Sequence, residues 1–217
     1  MARRLPYSKM ETGLSKKKKS LPFRFFGHLH TVMKHKRYVR KACFKMGIYR
    51  QGIFHDMSKF SPAEFIPSVR YYDGTHSPTI EERKAKGYSS CWIHHKGRNK
   101  HHYEYWTDYQ VQKSAQLFPC RIPLKYVAEM LADRYAACVA YQGKNYTQSS
   151  AWEYYEPSRF QIAIEAETKI VLEELLIRMM NDGEDAAFYY MKELLTITSG
   201  SDYTAESLGI VAPKSWE

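Results

Sequence analysis

Between Pro22 and Met46 apolar positions recur every three or four residues, the spacing that places side chains on one face of a helix. At about 100° per residue, His28, Val32, Val39, Ala42 and Met46 gather around His35. Lys34, Arg37, Arg40, Lys41 and Lys45 take the opposite side, and His30 falls with them. The pattern predicts an amphipathic helix with His35 turned inward and His30 outward. Gly47 ends it as a left-handed cap, and a second helix is expected from Gln51 through Asp56. So short a connection predicts an antiparallel helical hairpin in which His35 and His55 converge.

Further along, Ser61-Pro62-Ala63-Glu64 reads as a helix start, with Ser61 as cap and Glu64 at the capping-box position. Tyr71 to Pro78 carries turn residues and reads as a loop, followed by a short charged helix from Glu81 to Lys86 that stops at Gly87. A longer helix is expected from Leu124 to Tyr141, with Leu124, Val127, Ala128, Leu131, Tyr135 and Val139 on its apolar face. Asp133 lies on the other face beside Met130, Ala137 and Ala140, which makes it a candidate buried carboxylate in need of a cation or hydrogen bonds. Two more helices are expected over Ser158–Met180 and Glu184–Thr196, joined by the Asn181-Asp182-Gly183 turn. No segment alternates convincingly enough to predict a strand, so the expected fold is all-α. The expected organisation is a flexible basic tail over 1–20, one helical domain over 21–200 and a C-terminal extension over 201–217.

Charge changes this picture at one end. Residues 1–50 hold 15 Lys and Arg against Glu11 alone, a balance of +14, whereas the remaining residues hold 18 basic and 22 acidic residues, a balance of −4. Clustered positive charge concentrates anions, so nucleic acid is a partner expected for the basic N-terminal tail, with a merely solvated tail as the plain alternative. The four cysteines form no C-x-x-C pair, the opening Met1–Ser20 stretch lacks an apolar signal region, and no run in the sequence approaches the roughly 18 apolar residues of a membrane span. These features lead us to expect a cytoplasmic protein with free thiols and no membrane partner.

The chemistry concentrates in two places. His35, His55, Asp56 and Asp133 offer imidazole nitrogens and carboxylate oxygens, a donor set suited to a divalent transition metal such as zinc, manganese, iron or nickel. Water on such a metal loses its proton far more readily and becomes a nucleophile. The second place, Cys91 to Trp106, contains His94, His95, His101 and His102, together with Arg98, which is suited to gripping a phosphate through paired hydrogen bonds. Its aromatics Trp92, Tyr103, Tyr105 and Trp106 would suit stacking on a base or sugar. A surface loop with core tryptophans is the bland alternative.

The order of a helix histidine, then His55-Asp56-x-Ser58-Lys59, then Ala132-Asp133-Arg134 resembles the HD-domain superfamily of metal-dependent phosphohydrolases, whose signature is usually H-D-x-G-K. The resemblance covers roughly residues 28–141 and implies an HD-like helical bundle. By it, His35, His55, Asp56 and Asp133 correspond to the metal ligands and Lys59 to a lysine near the substrate phosphate. Some members insert two further histidines and hold a second ion; His94 and His101 are the expected pair, with His95 and His102 as their alternatives. More closely, His55–Phe65 with His94–His102 is similar to a family of bacterial and phage proteins known as a domain of unknown function. The expectation is a phosphohydrolase using one or two metal ions on a phosphorylated small molecule or nucleotide. A di-iron oxygenase and a non-catalytic nucleic-acid or regulatory binder are its rivals.

Overall fold

The computed structural model describes residues 19–110 and 113–211. The expected basic tail and its nucleic-acid contacts lie outside the described residues, apart from Lys19 and Ser20.

Helix α1 (Leu21–Lys45) opens with Pro22 in its first turn and buries His28, Val32, His35, Val39 and Ala42 of the predicted stripe, with Cys43 beside them and Met46 buried at its end, while His30 is exposed. Gly47 follows at φ +80°, a left-handed turn that glycine adopts without side-chain strain. Helix α2 (Tyr49–Phe54) then packs against α1. Its closeness depends on Gly52, where an added Cβ would stand 2.8 Å from Cys43 Cβ and 3.3 Å from Arg40 Cα.

Here the structure departs from the expected helix through Asp56. Helix α2 ends at Phe54, His55 leaves the helix at φ −49° and ψ 129°, and Asp56 takes φ +53°, a left-handed conformation uncommon for a residue with a side chain. Lys36 on α1 makes the break tolerable. Its Nζ donates to the carbonyl oxygens of Ile53 at 2.8 Å and His55 at 2.6 Å, satisfying groups that another helical turn would have used.

After a 3-10 turn (Met57–Phe60) comes α3 (Pro62–Tyr71), which follows Ser61 as predicted. The capping box does not form: the Ser61 side chain makes no cap bond, and the Glu64 carboxylate turns inward. Helices α4 (Pro78–Lys86) and α5 (Ser90–Lys96) complete this layer, with Glu82 tying them together. Its buried carboxylate accepts from Ser89 Oγ, Ser90 Oγ and Lys86 Nζ.

Two strands, β1 (Thr107–Gln110) and β2 (Lys113–Pro119), form an antiparallel hairpin that the sequence does not announce. The three residues that open β1 are all exposed, so it has no buried face to impose an alternating pattern. The molecule is nonetheless predominantly helical, in keeping with the all-α expectation.

Helix α6 (Leu124–Gln142) runs through the centre, packed on α1, and buries Leu124, Val127, Ala128 and Leu131. The expected helix from Ser158 is replaced by a short α7 (Ser150–Tyr155), a 3-10 turn containing Pro157, and α8 (Ala166–Asp182), whose N-cap Glu165 accepts from Thr168 N. Helix α9 (Glu184–Ile197) returns after Gly183. The core lies between α1, α6, α8 and α9, around Val39, Leu131, Leu172, Leu175, Phe188 and Met191. Tyr203, Ala205, Leu208 and Ile210 belong to the same core, so the chain stays packed past residue 200. Cys43, Cys91, Cys120 and Cys138 are free thiols. Among the described residues no helix is long and apolar enough to cross a membrane.

Candidate metal centre

Four segments meet beside α6: the inward face of α1, the break after α2, the end of α5 with the turn that follows, and α6 itself. From them His35, His55, Asp56 and Asp133 bring ligand atoms within 4.8 Å of one another. His35 Nε2 lies 3.0 Å from Asp133 Oδ1, and His55 Nε2 lies 3.2 Å from Asp56 Oδ2 and 3.4 Å from Asp133 Oδ1. Bonds of about 2.0–2.2 Å to a transition metal place neighbouring ligand atoms about 3.0–3.4 Å apart in octahedral or tetrahedral arrangements. The observed separations match such edges.

A second group adjoins the first through Asp56. Its Oδ1 lies 3.3 Å from His95 Nε2 and 3.4 Å from His101 Nε2, and His102 completes the set within 4.8 Å. The two oxygens of Asp56 thus face two different groups of imidazoles, so this one carboxylate could serve a cation in either group. The left-handed backbone of Asp56 supplies this aim, since the unusual φ turns the side chain away from the path that α2 would have given it.

The inward-pointing nitrogens face the site's own carboxylates. Among the described residues His35 Nε2, His55 Nε2, His101 Nε2 and Asp56 Oδ1 are buried without a hydrogen bond, although buried polar atoms are ordinarily paired. Their opposite edges are held. His55 Nδ1 donates to Glu129 Oε1 at 2.9 Å, and His101 Nδ1 lies 3.1 Å from the same oxygen. His95 Nδ1 donates to Glu64 Oε2 at 2.8 Å, with Asn99 Nδ2 and Ser58 Oγ beside it. An imidazole that gives its Nδ1 proton to a carboxylate keeps a lone pair on Nε2, the form that binds a metal.

The electrostatics agree with a site that attracts positive charge. Burial opposes a charged His55, yet the carboxylates of Asp56, Asp133 and Glu129 outweigh it and hold the imidazole well above its ordinary range. Burial likewise opposes ionised Asp56, but His55, Lys59 and His95 keep it well below the carboxylate norm. Lys59 Nζ pairs with Asp56 Oδ2 at 2.6 Å, its side chain 30% exposed. Asp133 keeps 19% of its side chain exposed, which leaves the first group approachable from solvent.

Of the predicted residues, His35, His55, Asp56, Asp133 and His101 therefore converge, with Lys59 at their edge. His94 does not join them. Its Nδ1 donates to Glu64 Oε1 at 2.6 Å, and its neighbour His95 enters the second group instead. Arg98 also stands apart, exposed, with Nη1 3.4 Å from the carbonyl oxygen of His94. The expected stacking platform is largely absorbed by packing: Trp92 lies against His95 and His102, and Trp106 donates to the carbonyl oxygen of Lys100 while packing on the core. Ser58, which stands where the resembled signature has glycine, accepts from Asn99 Nδ2 at 2.8 Å.

Two carboxylates that hold the converging histidines escape the sequence reading. Glu129 sits one helical turn before Asp133 on α6, an acid among Ala128, Met130 and Leu131, and that spacing was the available sign. Glu64 was hidden by its fit to a capping box. No curated protein and no solved structure matches the chain. Residues 24–178, carrying all the converging side chains, match the family of unknown function DUF5662, and the chain belongs to that family.

Proposed function

We propose that the protein is a metal-dependent phosphohydrolase of HD-domain type, acting on a phosphorylated small molecule or nucleotide. One observation carries this reading: imidazole nitrogens and carboxylate oxygens from four segments face one another at ligand spacing, and His35 Nε2, His55 Nε2, His101 Nε2 and Asp56 Oδ1 are buried there with no well-formed hydrogen bond. His35, His55, Asp56 and Asp133 would hold one divalent cation, and Asp56 with His95, His101 and His102 a second. A cation there would acidify a water to a pKa of about 7 in the most favourable case and so supply the nucleophile. Lys59, beside Asp56 and partly exposed, is placed to balance charge that develops on a phosphoryl oxygen.

Metal analysis of protein purified without chelator, followed by assays on aryl phosphate mono- and diesters and on nucleotides, tests the reading. One to two equivalents of transition metal are expected, with hydrolysis lost in His55→Ala and Asp56→Ala. Less than half an equivalent, with no uptake on reconstitution, would contradict it. The three imidazoles of the second group favour one other reading, a di-iron oxygenase. Two irons per chain and oxygen consumption on a hydroxyl-bearing substrate, without phosphate release, would select it.

A further inference from the structure

Behind the converging histidines stand Glu64 and Glu129, and their hydrogen bonds are divided unequally. Glu64, buried on α3, uses both oxygens: Oε1 accepts from His94 Nδ1 at 2.6 Å and Oε2 from His95 Nδ1 at 2.8 Å. Of these two rings only His95 reaches Asp56. Glu129, buried on α6, brings a single oxygen to His55 Nδ1 at 2.9 Å and to His101 Nδ1 at 3.1 Å. His55 belongs to the first group and His101 to the second.

A carboxylate at Nδ1 sets both the tautomer and the rotation of an imidazole, and loss of such support typically weakens metal binding about 10–100-fold. Resting on the two-cation reading of this site, we infer that Glu64 and Glu129 are positioning residues of different reach. Glu64 governs the cation position at Asp56, His95, His101 and His102 alone, whereas Glu129 supports a ligand of each position and links their occupancy. His94 then serves as the second anchor of Glu64: with Oε1 held by one ring, Oε2 is aimed at the other. The identical neighbours His94 and His95 thus divide into brace and ligand.

The test uses the full chain, stripped with chelator and titrated with Zn²⁺ by calorimetry, with bound zinc counted by mass spectrometry. Wild type is expected to take up two equivalents. Glu64→Gln places an amide nitrogen against one of the two Nδ1 protons and should keep one tight equivalent while weakening the other about 10–100-fold. Glu129→Gln should weaken both. Glu64→Asp keeps the charge but withdraws the oxygens by one methylene, and the same selective loss is expected should the glutamine variant fail to fold. Retention of both sites within twofold in these Glu64 variants would overturn the division, as would equal loss of both. A wild type saturating at one equivalent overturns the division but leaves a one-cation site, and a wild type taking up none overturns the functional reading as well.

Discussion

Replacing Gly52 with alanine sets two opposed effects against each other. In an ordinary helix interior the change is favourable by about 1 kcal/mol, because glycine loses more backbone entropy on folding. Here the new methyl would lie 2.8 Å from Cys43 Cβ and 3.3 Å from Arg40 Cα. Neither atom can move by a rotamer change, so α2 must shift from α1, and overpacking of this kind costs about 1–3 kcal/mol. With atoms this rigid the upper part of that range applies, leaving a net destabilisation of about 1–2 kcal/mol. The shift also carries His55, three residues downstream, away from Asp133 Oδ1, which it now approaches to 3.4 Å. Zinc affinity at the first group should therefore fall about tenfold or more. Urea denaturation of the metal-free protein gives the first quantity and zinc titration the second. A Gly52→Ala protein more stable than wild type by about 1 kcal/mol, with zinc affinity unchanged, would refute the tight α1–α2 contact as the device that brings His55 to His35.

Three other substitutions test separate parts of the structure. Hydrogen bonds from Ser90, Lys86 and Ser89 outweigh the burial of Glu82 and bring its pKa down to about 2. Because the folded value lies below the unfolded one, this carboxylate should contribute up to about 3 kcal/mol above pH 4.5, lost as pH falls toward 2. The urea-stability difference between wild type and Glu82→Gln should shrink across that window. His28 loses stability in the same direction but at higher pH: burial and the nearby Lys59 depress its pKa to about 4, so the unfolded chain takes up the proton first as pH drops below 6.5. His28→Phe, filling the same space against Phe65 and Tyr72, should remove part of the stability loss between pH 6.5 and 4 and leave metal content unchanged. A variant as acid-sensitive as wild type would contradict the assignment. Lys36→Met strips the donor from the carbonyls of Ile53 and His55 and should cost about 1–3 kcal/mol in urea denaturation, with weaker zinc binding.

Helical periodicity made much of this legible. The stripe on α1 fixed which of His30 and His35 faces the core, because a 25-residue amphipathic helix leaves little freedom in its rotation. The His55-Asp56 pair stood out by residue type, and Asp133 by being an acid amid small apolar neighbours on α6. What stayed hidden depends on contacts between segments. The left-handed turn at Asp56 is stabilised by Lys36, twenty residues away, and leaves no local mark. His94 and His95 are equivalent in sequence, and only the placement of α5 against Glu64 distinguishes them. Glu64 satisfied a local pattern that the fold does not use. Strand β1, four residues long and exposed at the first three, lacks the buried face from which periodicity arises.

The most direct measurement is a crystal structure of protein purified without chelator, with anomalous scattering recorded at transition-metal edges. The expected result is an anomalous peak bounded by His35, His55, Asp56 and Asp133, with a second across Asp56 toward His95 and His101. A metal bound elsewhere, or these side chains closed upon one another by hydrogen bonds after metal reconstitution, would contradict a metal centre at this place.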